Sequence, residues 1–189
     1  NQKNYTILVA TSGDTGSAVA KAFHHQKNIR IFIFFPKGKV TKRQKKLLTC
    51  FDDNVFSFEV DGNFDDCQLL TKQAFEDLKL TESYHLTTAN SINIGRLLPQ
   101  VIYYAASSLW YCQKNTQIPG FIVPTGNVGN ALAAIWAKQM GFPISHIVMA
   151  TNANETLIKY FKTGKFTPKR SISTLANAMD VSNPSNAER

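Results

Sequence analysis

Short apolar runs alternate with amphipathic segments through the first half of this chain. Four of the runs have strand character, and they cover residues 5–10, 30–35, 54–60 and 85–88. The stretches between them, such as residues 64–78, have helical periodicity. Strands that alternate with helices pair in parallel through right-handed crossovers, with helices on both faces of the sheet. The pattern predicts an α/β fold with a small four-stranded parallel-sheet domain at residues 1–91.

The second half of the chain has a longer and more apolar helical pattern at residues 92–111. An apolar run starts at residue 121. It is followed by a turn that contains two glycines, by a helical segment at residues 131–140 and by a strand at residues 146–150. After Thr163 the composition predicts loops with one short helix. We therefore predict that residues 92–189 form part of a second, larger α/β domain.

The charge of +8 does not indicate nucleic-acid binding. Six of the cations lie within residues 36–46, without the interleaved aromatic side chains that stack on bases. The three cysteines form no C-x-x-C pair, so neither a metal site nor a disulfide framework is predicted. No apolar stretch approaches the roughly 20 residues of a membrane helix, so we expect a cytoplasmic protein that contacts no membrane.

Two turns that connect a strand to a helix are rich in glycine and polar residues. In TSGDTG, Gly13 and Gly16 permit tight turns, while Thr11, Ser12 and Thr15 offer hydroxyls beside the N–H groups of a helix start. The second turn has the same character, with the residues Gly126, Asn127, Gly129 and Asn130. Both turns suit an anion, although either one could be a simple strand-to-helix connection. Neither matches the dinucleotide fingerprint or the P-loop, so ATP and NAD are disfavoured.

A third polar cluster precedes the long helix, in the segment TTANSINIGR at residues 87–96. It contains Asn90, Ser91 and Asn93, and Arg96 follows one helical turn later. One interpretation is a set of helix caps and a surface arginine. The other is a clamp for a phosphate group, because amide donors and a guanidinium can converge on a tetrahedral anion.

A series of motifs is spread over the whole chain, in the order ATSGDTGSAV, PKGK, DGNFDDCQ, TANSINIGR, PTGNVGN, ATNANET and NAMDVSNPSN. Together these motifs resemble the threonine synthase family of fold type II pyridoxal-phosphate enzymes, which share a tryptophan-synthase-β-like fold. The resemblance implies conversion of O-phospho-L-homoserine and water to L-threonine and phosphate. It also implies pyridoxal 5'-phosphate as the electron sink for this reaction.

The resemblance also implies roles for individual residues. The residues that would wrap the cofactor phosphate through backbone N–H groups are Gly126, Asn127, Val128, Gly129 and Asn130. The turn that would receive the substrate carboxylate contains Thr11, Ser12, Gly13 and Thr15. Asp14 would lie near the phenolic oxygen of the cofactor, where it either caps the helix or shares a proton with that oxygen. The substrate phosphate would be bound by Asn90 and Arg96, together with Ser91 and Asn93.

The family's Schiff-base lysine precedes the TSGDTG turn, and no residue here matches its segment. Lys3 lies in NQKNYT, which differs from that segment, and the chain starts with Asn1 in place of Met. We therefore expect an internal piece of a longer enzyme, inactive by itself, with no catalytic residue of its own. We also expect its four histidines, His24, His25, His85 and His146, to be solvated or hydrogen-bonded.

Two other functions remain compatible with the residues. One is a different fold type II lyase, of the threonine dehydratase or cysteine synthase type. The other is a noncatalytic α/β module that binds phosphate or a nucleotide. The segment from Asn90 to Arg96 discriminates among these functions, because the threonine synthase interpretation needs it to bind a substrate phosphate.

Overall fold

The computed structural model describes residues 3–189, so the first two residues of the predicted first domain lie outside it. The first four strands are β1 Tyr5–Ala10, β2 Ile29–Pro36, β3 Val55–Val60 and β4 Leu86–Thr88. They form one parallel sheet in the order β3-β2-β1-β4. Tyr5 is in register with Ile29, and Thr6 with Leu86. The predicted α/β class and the four-stranded parallel sheet are confirmed.

Helices cover both faces of this sheet, and they are α1 Asp14–Phe23, α2 Lys42–Thr49, α3 Phe64–Glu76 and α4 Leu78–Tyr84. Alternate residues of β1 and β2 pack against α1 and α2 in one buried core, which includes Val9, Val19, Ile33, Phe35 and Leu48. The opposite face, with Leu8 and Phe32, meets α3 and α4 around a cavity of about 340 Å³. Because successive side chains of a strand point to opposite faces of the sheet, each strand contributes apolar residues to the helix layers on both sides.

The segment predicted as one helix at residues 64–78 is instead interrupted. Asp77 has an extended backbone conformation, with φ −80° and ψ 101°, and it ends α3. Its carboxylate accepts a hydrogen bond from the backbone N–H of Leu80 at 3.1 Å, so Asp77 also caps the start of α4. Capping by the aspartate therefore overrides a helical pattern that continues across this position.

The second half of the chain contains α5 Ile94–Lys114, β5 Phe121–Pro124, α6 Gly129–Gln139, β6 Ile147–Ala150 and α7 Thr156–Thr163. β5 and β6 pair in parallel, and the sequence did not predict α7. The side chains of α6 that are fully buried are small, and they are Ala131, Ala133, Ala134 and Ala137. Because alanine needs little space, α6 can pack closely on α5 and on the two strands.

The chain divides into two compact units, of which unit 1 comprises Asn1–Asn90 and Ser173–Asp180 and unit 2 comprises Ser91–Ile172 and Val181–Arg189. The sequence placed a boundary between residues 91 and 92, and that domain assignment stays a prediction. The return of Ser173–Asp180 to unit 1 was not predicted. Asn177 lies in a short 3-10 helix, Asn177–Met179, and its amide donates a hydrogen bond to Gln44 Oε1 at 3.0 Å. Across the described residues, no helix has the length and apolar character needed to span a membrane.

Candidate functional site

The turn at residues 11–16 lies at the carboxyl end of β1 and opens α1. Thr11 is buried, with 1% of its surface exposed, and its hydroxyl oxygen accepts hydrogen bonds from the N–H groups of Gly13 and Gly16, both at 3.0 Å. Gly13 has a φ of 139°, which strongly favours glycine. The Thr11 side chain therefore shapes the turn from inside. Ser12 and Thr15 are half-buried, and the predicted contacts of all three residues with a substrate stay predictions.

Asp14 is the first residue of α1, and its side chain is exposed. The helix cap is Gly13, and the first-turn N–H of Gly16 is bonded by the Thr11 hydroxyl and not by Asp14, so the interpretation of Asp14 as a helix cap is wrong. Its Oδ1 instead accepts a hydrogen bond from Gln44 Nε2 at 3.0 Å. A cap role would require the carboxylate to fold back onto the backbone, and Gln44 holds it toward α2. Proton sharing between Asp14 and a cofactor oxygen stays a prediction.

The turn at residues 125–130 follows β5 and opens α6 by a similar device. Thr125 is buried, and its hydroxyl accepts from the N–H of Val128 at 3.1 Å and donates to Asn130 Oδ1 at 2.7 Å. Asn130 Nδ2 also donates to the carbonyl of Pro124 at 2.7 Å. Val128 has a left-handed backbone, with a φ of 64°, at the start of the helix. Side chains inside the turn thus fix the path of the backbone whose N–H groups were predicted to bind phosphate.

Asn127 connects this turn to two other segments of unit 2. Its Nδ2 donates to Ser91 Oγ at 2.8 Å, and its Oδ1 accepts from the backbone N–H of Ser185. The Asn186 amide donates to the carbonyl of Asn127 at 3.0 Å and to Ser91 Oγ at 3.3 Å. Ser91, predicted as a ligand for substrate phosphate, therefore has a hydroxyl that accepts from two asparagines. Ser185 and Asn186, from the end of the sequence motif NAMDVSNPSN, belong to the same network. The sequence did not reveal this role.

Asn90 lies in unit 1, next to the end of β1. It is 9% exposed, its Oδ1 accepts from the N–H of Ala10 at 2.9 Å, and its Nδ2 donates to the carbonyl of Ala10 at 2.6 Å. This pair of bonds extends the edge of the sheet next to the turn at residues 11–16. The structure gives Asn90 a positioning role for that turn, and the predicted contact with substrate phosphate stays a prediction.

Asn93 and Arg96 lie at the start of α5. Asn93 is the helix cap, and its Oδ1 accepts from the N–H of Gly95 at 2.9 Å. The capping interpretation is therefore confirmed for Asn93. Arg96 lies in the first turn of the helix and is half-buried. A guanidinium at a helix start adds positive charge where the macrodipole is already positive, which favours an anionic ligand there.

Gln44 is a residue of the site region that the sequence did not indicate. Its side chain contacts Asp14, caps α2 together with Thr41, and accepts from Asn177. A local signal for the cap existed, because Thr41 and Gln44 have the spacing of a capping box. No local pattern could indicate the contacts with Asp14 and Asn177, which are distant in sequence.

The residues at 125–130 fit a cofactor that carries a phosphate group. None of them is acidic, and the turn presents the N-terminus of α6. Gly129 packs so closely that an added Cβ would lie 3.0 Å from Ser91 Cβ, so only glycine fits without a shift of the neighbouring chain. The lack of opposing charge and the closely packed glycine both suit a phosphate held by backbone N–H groups.

Comparison with protein families defines the class to which this α/β fold belongs. The model of the pyridoxal-phosphate dependent enzyme family matches residues 1–189, so the chain belongs to that family. This match confirms pyridoxal phosphate as the cofactor of the family and confirms the fold type II expectation.

Individual relatives narrow the comparison to one kind of enzyme. The chain is 47% identical to the threonine synthase of Buchnera aphidicola subsp. Schizaphis graminum, over 100% of this chain and 44% of that protein. The solved threonine synthase of Escherichia coli matches with a TM-score of 0.92 and 43% identity, over 98% of this chain and 43% of that one. A solved PLP-bound threonine synthase of Brucella melitensis matches with a TM-score of 0.83 and 40% identity, over 99% of this chain and 40% of that one. The chain thus spans less than half the length of these relatives.

Proposed function

We propose that this chain is part of a threonine synthase, which converts O-phospho-L-homoserine and water to L-threonine and inorganic phosphate. The observation that carries the proposal is the match to the Escherichia coli enzyme, at 43% identity over 98% of this chain. Relatives of other enzyme types could share the fold at far lower identity, so the identity, and not the fold, supports the specific reaction. The activity belongs to a longer protein, because the chain spans 44% of the Buchnera relative.

The proposed role of the turn at residues 125–130 is to hold the phosphate of the cofactor. Its donors are backbone N–H groups of Gly126, Asn127, Gly129 and Asn130, and the N–H of Val128 is occupied by Thr125. Bound in this way, pyridoxal phosphate supplies the electron sink that stabilises negative charge on the substrate carbons. Thr125 and Asn130 fix the turn, so the backbone donors need no reorganisation when the phosphate arrives.

The proposed role of the turn at residues 11–16 is to receive the substrate carboxylate. Ser12, Gly13 and Thr15 provide hydroxyl and N–H donors at the start of α1, and Thr11 holds them in place. A carboxylate is stabilised at a helix N-terminus. The Gln44 amide holds the Asp14 carboxylate at 3.0 Å, which keeps one negative group away from the incoming anion.

The proposed ligand for the substrate phosphate is the Arg96 guanidinium, supported by the polar residues Asn90, Ser91 and Asn93. An arginine offers two parallel N–H donors to a phosphate, a geometry that lysine cannot reproduce. Ser91 and Asn93 also shape the segment that leads into α5, through hydrogen bonds with Asn127 and with the N–H of Gly95. Arg96 is therefore the residue on which recognition of a phosphorylated substrate depends most.

The cytoplasmic location expected from sequence stays a prediction.

The test uses the full protein that carries this chain, with O-phospho-L-homoserine as substrate and released phosphate and threonine as readouts. We expect Arg96→Gln to raise KM by about a hundredfold, since a charge-assisted pair contributes roughly 2–3 kcal/mol. Arg96→Lys should recover only part of this loss. Arg170→Gln, an exposed arginine in a loop, is the matched control and should leave both constants unchanged.

Two results would reject the proposed reaction, and a third would reject only the role of Arg96. Deamination of threonine or serine without phosphate release would assign the protein to a different fold type II lyase. Stabilisation by ATP or NAD, but not by pyridoxal phosphate, would favour the noncatalytic module. Threonine synthesis with an unchanged KM in Arg96→Gln would keep the reaction but remove Arg96 from substrate recognition.

A further inference from the structure

Two pairs of adjacent residues with metal-binding side chains come together at the end of the four-stranded sheet where the parallel strands begin. His24 and His25 follow α1 and precede β2, and Asp52 and Asp53 follow α2 and precede β3. Because β2 and β3 are neighbouring parallel strands, the turns before them meet at the same edge. The turn at residues 11–16 lies at the opposite edge, where the strands end. The cluster is therefore separate from the turn that is proposed to receive the substrate carboxylate.

The side chains of this cluster already contact one another. His24 Nε2 lies 2.9 Å from Asp52 Oδ1, and His25 Nδ1 lies 3.0 Å from Asp53 Oδ2. The two imidazole rings are 3.6 Å apart between centroids. One potential ligand atom from each of His24, His25 and Asp52 lies within 4.8 Å of the other two. Two imidazoles and a carboxylate thus converge without any rearrangement of the backbone.

A buried asparagine fixes the backbone beneath the cluster. Asn54 is 9% exposed, its Oδ1 accepts from the N–H of His25 at 3.0 Å, and its Nδ2 donates to the carbonyls of Phe23 and Ile29 at 2.9 and 3.0 Å. This one side chain ties the turn that carries the histidines to the turn that carries the aspartates.

The backbone of both turns is also held in an uncommon conformation. His25 and Asp53 have φ values of 61° and 56°, in the left-handed region. The left-handed turn at His25 helps to place two consecutive imidazoles side by side, which an extended or helical backbone does not do. The fold therefore holds the backbone that carries the four side chains, so a ligand would need to order only the side chains themselves.

We propose that His24, His25 and Asp52 bind a divalent transition-metal ion, with Zn²⁺ as the representative of its class. Imidazole nitrogen and carboxylate oxygen are the donors that zinc, nickel and copper accept, whereas Mg²⁺ and Ca²⁺ require a shell of oxygens. Ligand atoms at about 2.1 Å from a tetrahedral ion lie about 3.4 Å apart, so the His24 and Asp52 atoms, now 2.9 Å apart, need to separate by only about half an ångström. Asp53 orients the His25 ring or serves as a fourth ligand.

The sequence did not predict this site because the two turns are 28 residues apart at the contact of His24 with Asp52. Neither pair has the internal spacing of a known metal motif. The site is open on one side, since the Asp52 side chain is 86% exposed while that of His24 is 21% exposed. A partly buried histidine with an exposed carboxylate partner gives an ion a route of entry from solvent.

The experiment is calorimetric titration of the untagged chain with ZnCl₂ in a buffer that does not chelate metals, with MgCl₂ in a parallel titration. We expect one zinc ion per chain and no heat from magnesium. His25→Asn and Asp52→Asn should each weaken zinc binding by at least about tenfold. Asparagine tolerates a left-handed backbone, and Asp52 is on the surface, so both variants keep the fold.

The matched control is His85→Asn, because His85 also has a left-handed backbone, with a φ of 46°. His85→Asn and Cys50→Ser should bind zinc as the unmodified chain does. Co²⁺ adds a spectroscopic readout, since a tetrahedral site gives absorption bands in the visible that a loosely bound surface ion does not. Equal zinc affinity in His25→Asn and His85→Asn, no zinc binding, or cobalt spectra without these bands would overturn the proposal.

Discussion

Thr6 is a buried residue whose hydroxyl lacks a hydrogen bond. It is the second residue of β1, it is 5% exposed, and no partner for its Oγ1 exists among the described residues. Its neighbours around the 340 Å³ cavity include Leu8, Phe32 and Leu86. A buried hydroxyl without a partner costs about 1–3 kcal/mol relative to one that is bonded. Thr6 is therefore a position where the native residue lowers stability.

We expect Thr6→Val to raise the free energy of unfolding by about 1 kcal/mol, because valine has the same shape without the unpaired hydroxyl. Urea denaturation followed by circular dichroism measures the change. The control is Thr71→Val, since Thr71 is equally buried and its hydroxyl donates to the carbonyl of Gln68 at 2.8 Å. That substitution removes a formed bond and should not stabilise. A loss of stability in Thr6→Val would show that its hydroxyl is satisfied in solution.

The sequence predicted that polar side chains of the two glycine turns lie near a helix start. It did not predict which of these side chains face inward and which are accessible to a ligand. The sequence indicated hydroxyls and amides near a helix start, and the structure places them there. Whether a hydroxyl faces a ligand or the turn itself depends on its burial. Thr11 and Thr125 are both 1% exposed and turned inward, and nothing in the motif distinguishes them from the half-buried Ser12.

At the scale of secondary-structure elements, the start of α2 is held by more than its own cap. Thr41 and Gln44 form a capping box, in which each side chain bonds the backbone N–H of the other. Gln44 also donates to Asp14, so the start of α2 is linked to the start of α1. The cap residue of α2 thereby also fixes the direction of the Asp14 carboxylate.

Gln44→Glu separates these two contributions, because glutamate can complete a capping box but cannot donate to Asp14. We expect a loss of about 1 kcal/mol in the free energy of unfolding from the like charges, and Gln44→Ala should cost at least as much. Adding Asp14→Asn should restore most of the loss in Gln44→Glu and little of that in Gln44→Ala. A double-mutant cycle in urea measures the coupling, and an additive result would show that the 3.0 Å contact contributes nothing.

The observed ends of helices and strands agree with the predicted ends where a strand or a strong helix cap determines them. β1 and the start of α3 agree with the prediction, and Asn63 and Asp66 form a capping box at the latter. The break between α3 and α4 was missed, since the helical pattern runs through Asp77. Periodicity reports which face is apolar, but one side chain decides whether the backbone continues.

At the scale of the whole molecule, the sheet was predictable and the division into units only partly so. Parallel pairing follows from alternation that is visible within any thirty residues or so. The assignment of Ser173–Asp180 to unit 1 depends on contacts such as that of Gln44 with Asn177, 133 residues apart. Polar contacts at such separation leave no periodic trace in the sequence.

The global stability of the chain should fall at alkaline pH through Cys67. Burial raises the pKa of this thiol to about 12 from an ordinary value of 9.0, and the charge of Asp66 adds to the effect. The folded state therefore keeps the proton to a higher pH than the unfolded state does. The stability that this thiol contributes is complete below pH 9.0 and is lost as the pH rises toward about 12.

We expect the free energy of unfolding to decrease more steeply between pH 9 and pH 11 in the unmodified chain than in Cys67→Ala. Lysines and tyrosines titrate in both proteins, so the difference between the slopes isolates the thiol. Cys50→Ala, which removes an exposed thiol, should retain the unmodified slope. Parallel slopes for the unmodified chain and Cys67→Ala would contradict the assignment.

The chain passes between its two units three times, after residues 90, 172 and 180. Neither unit therefore corresponds to an uninterrupted stretch of coding sequence. A gene truncated after residue 172 would encode Gln44 without Asn177, its hydrogen-bond partner. Anyone who wishes to study one half of the molecule alone must graft the distant octapeptide back through an artificial linker, or supply it as a separate synthetic peptide.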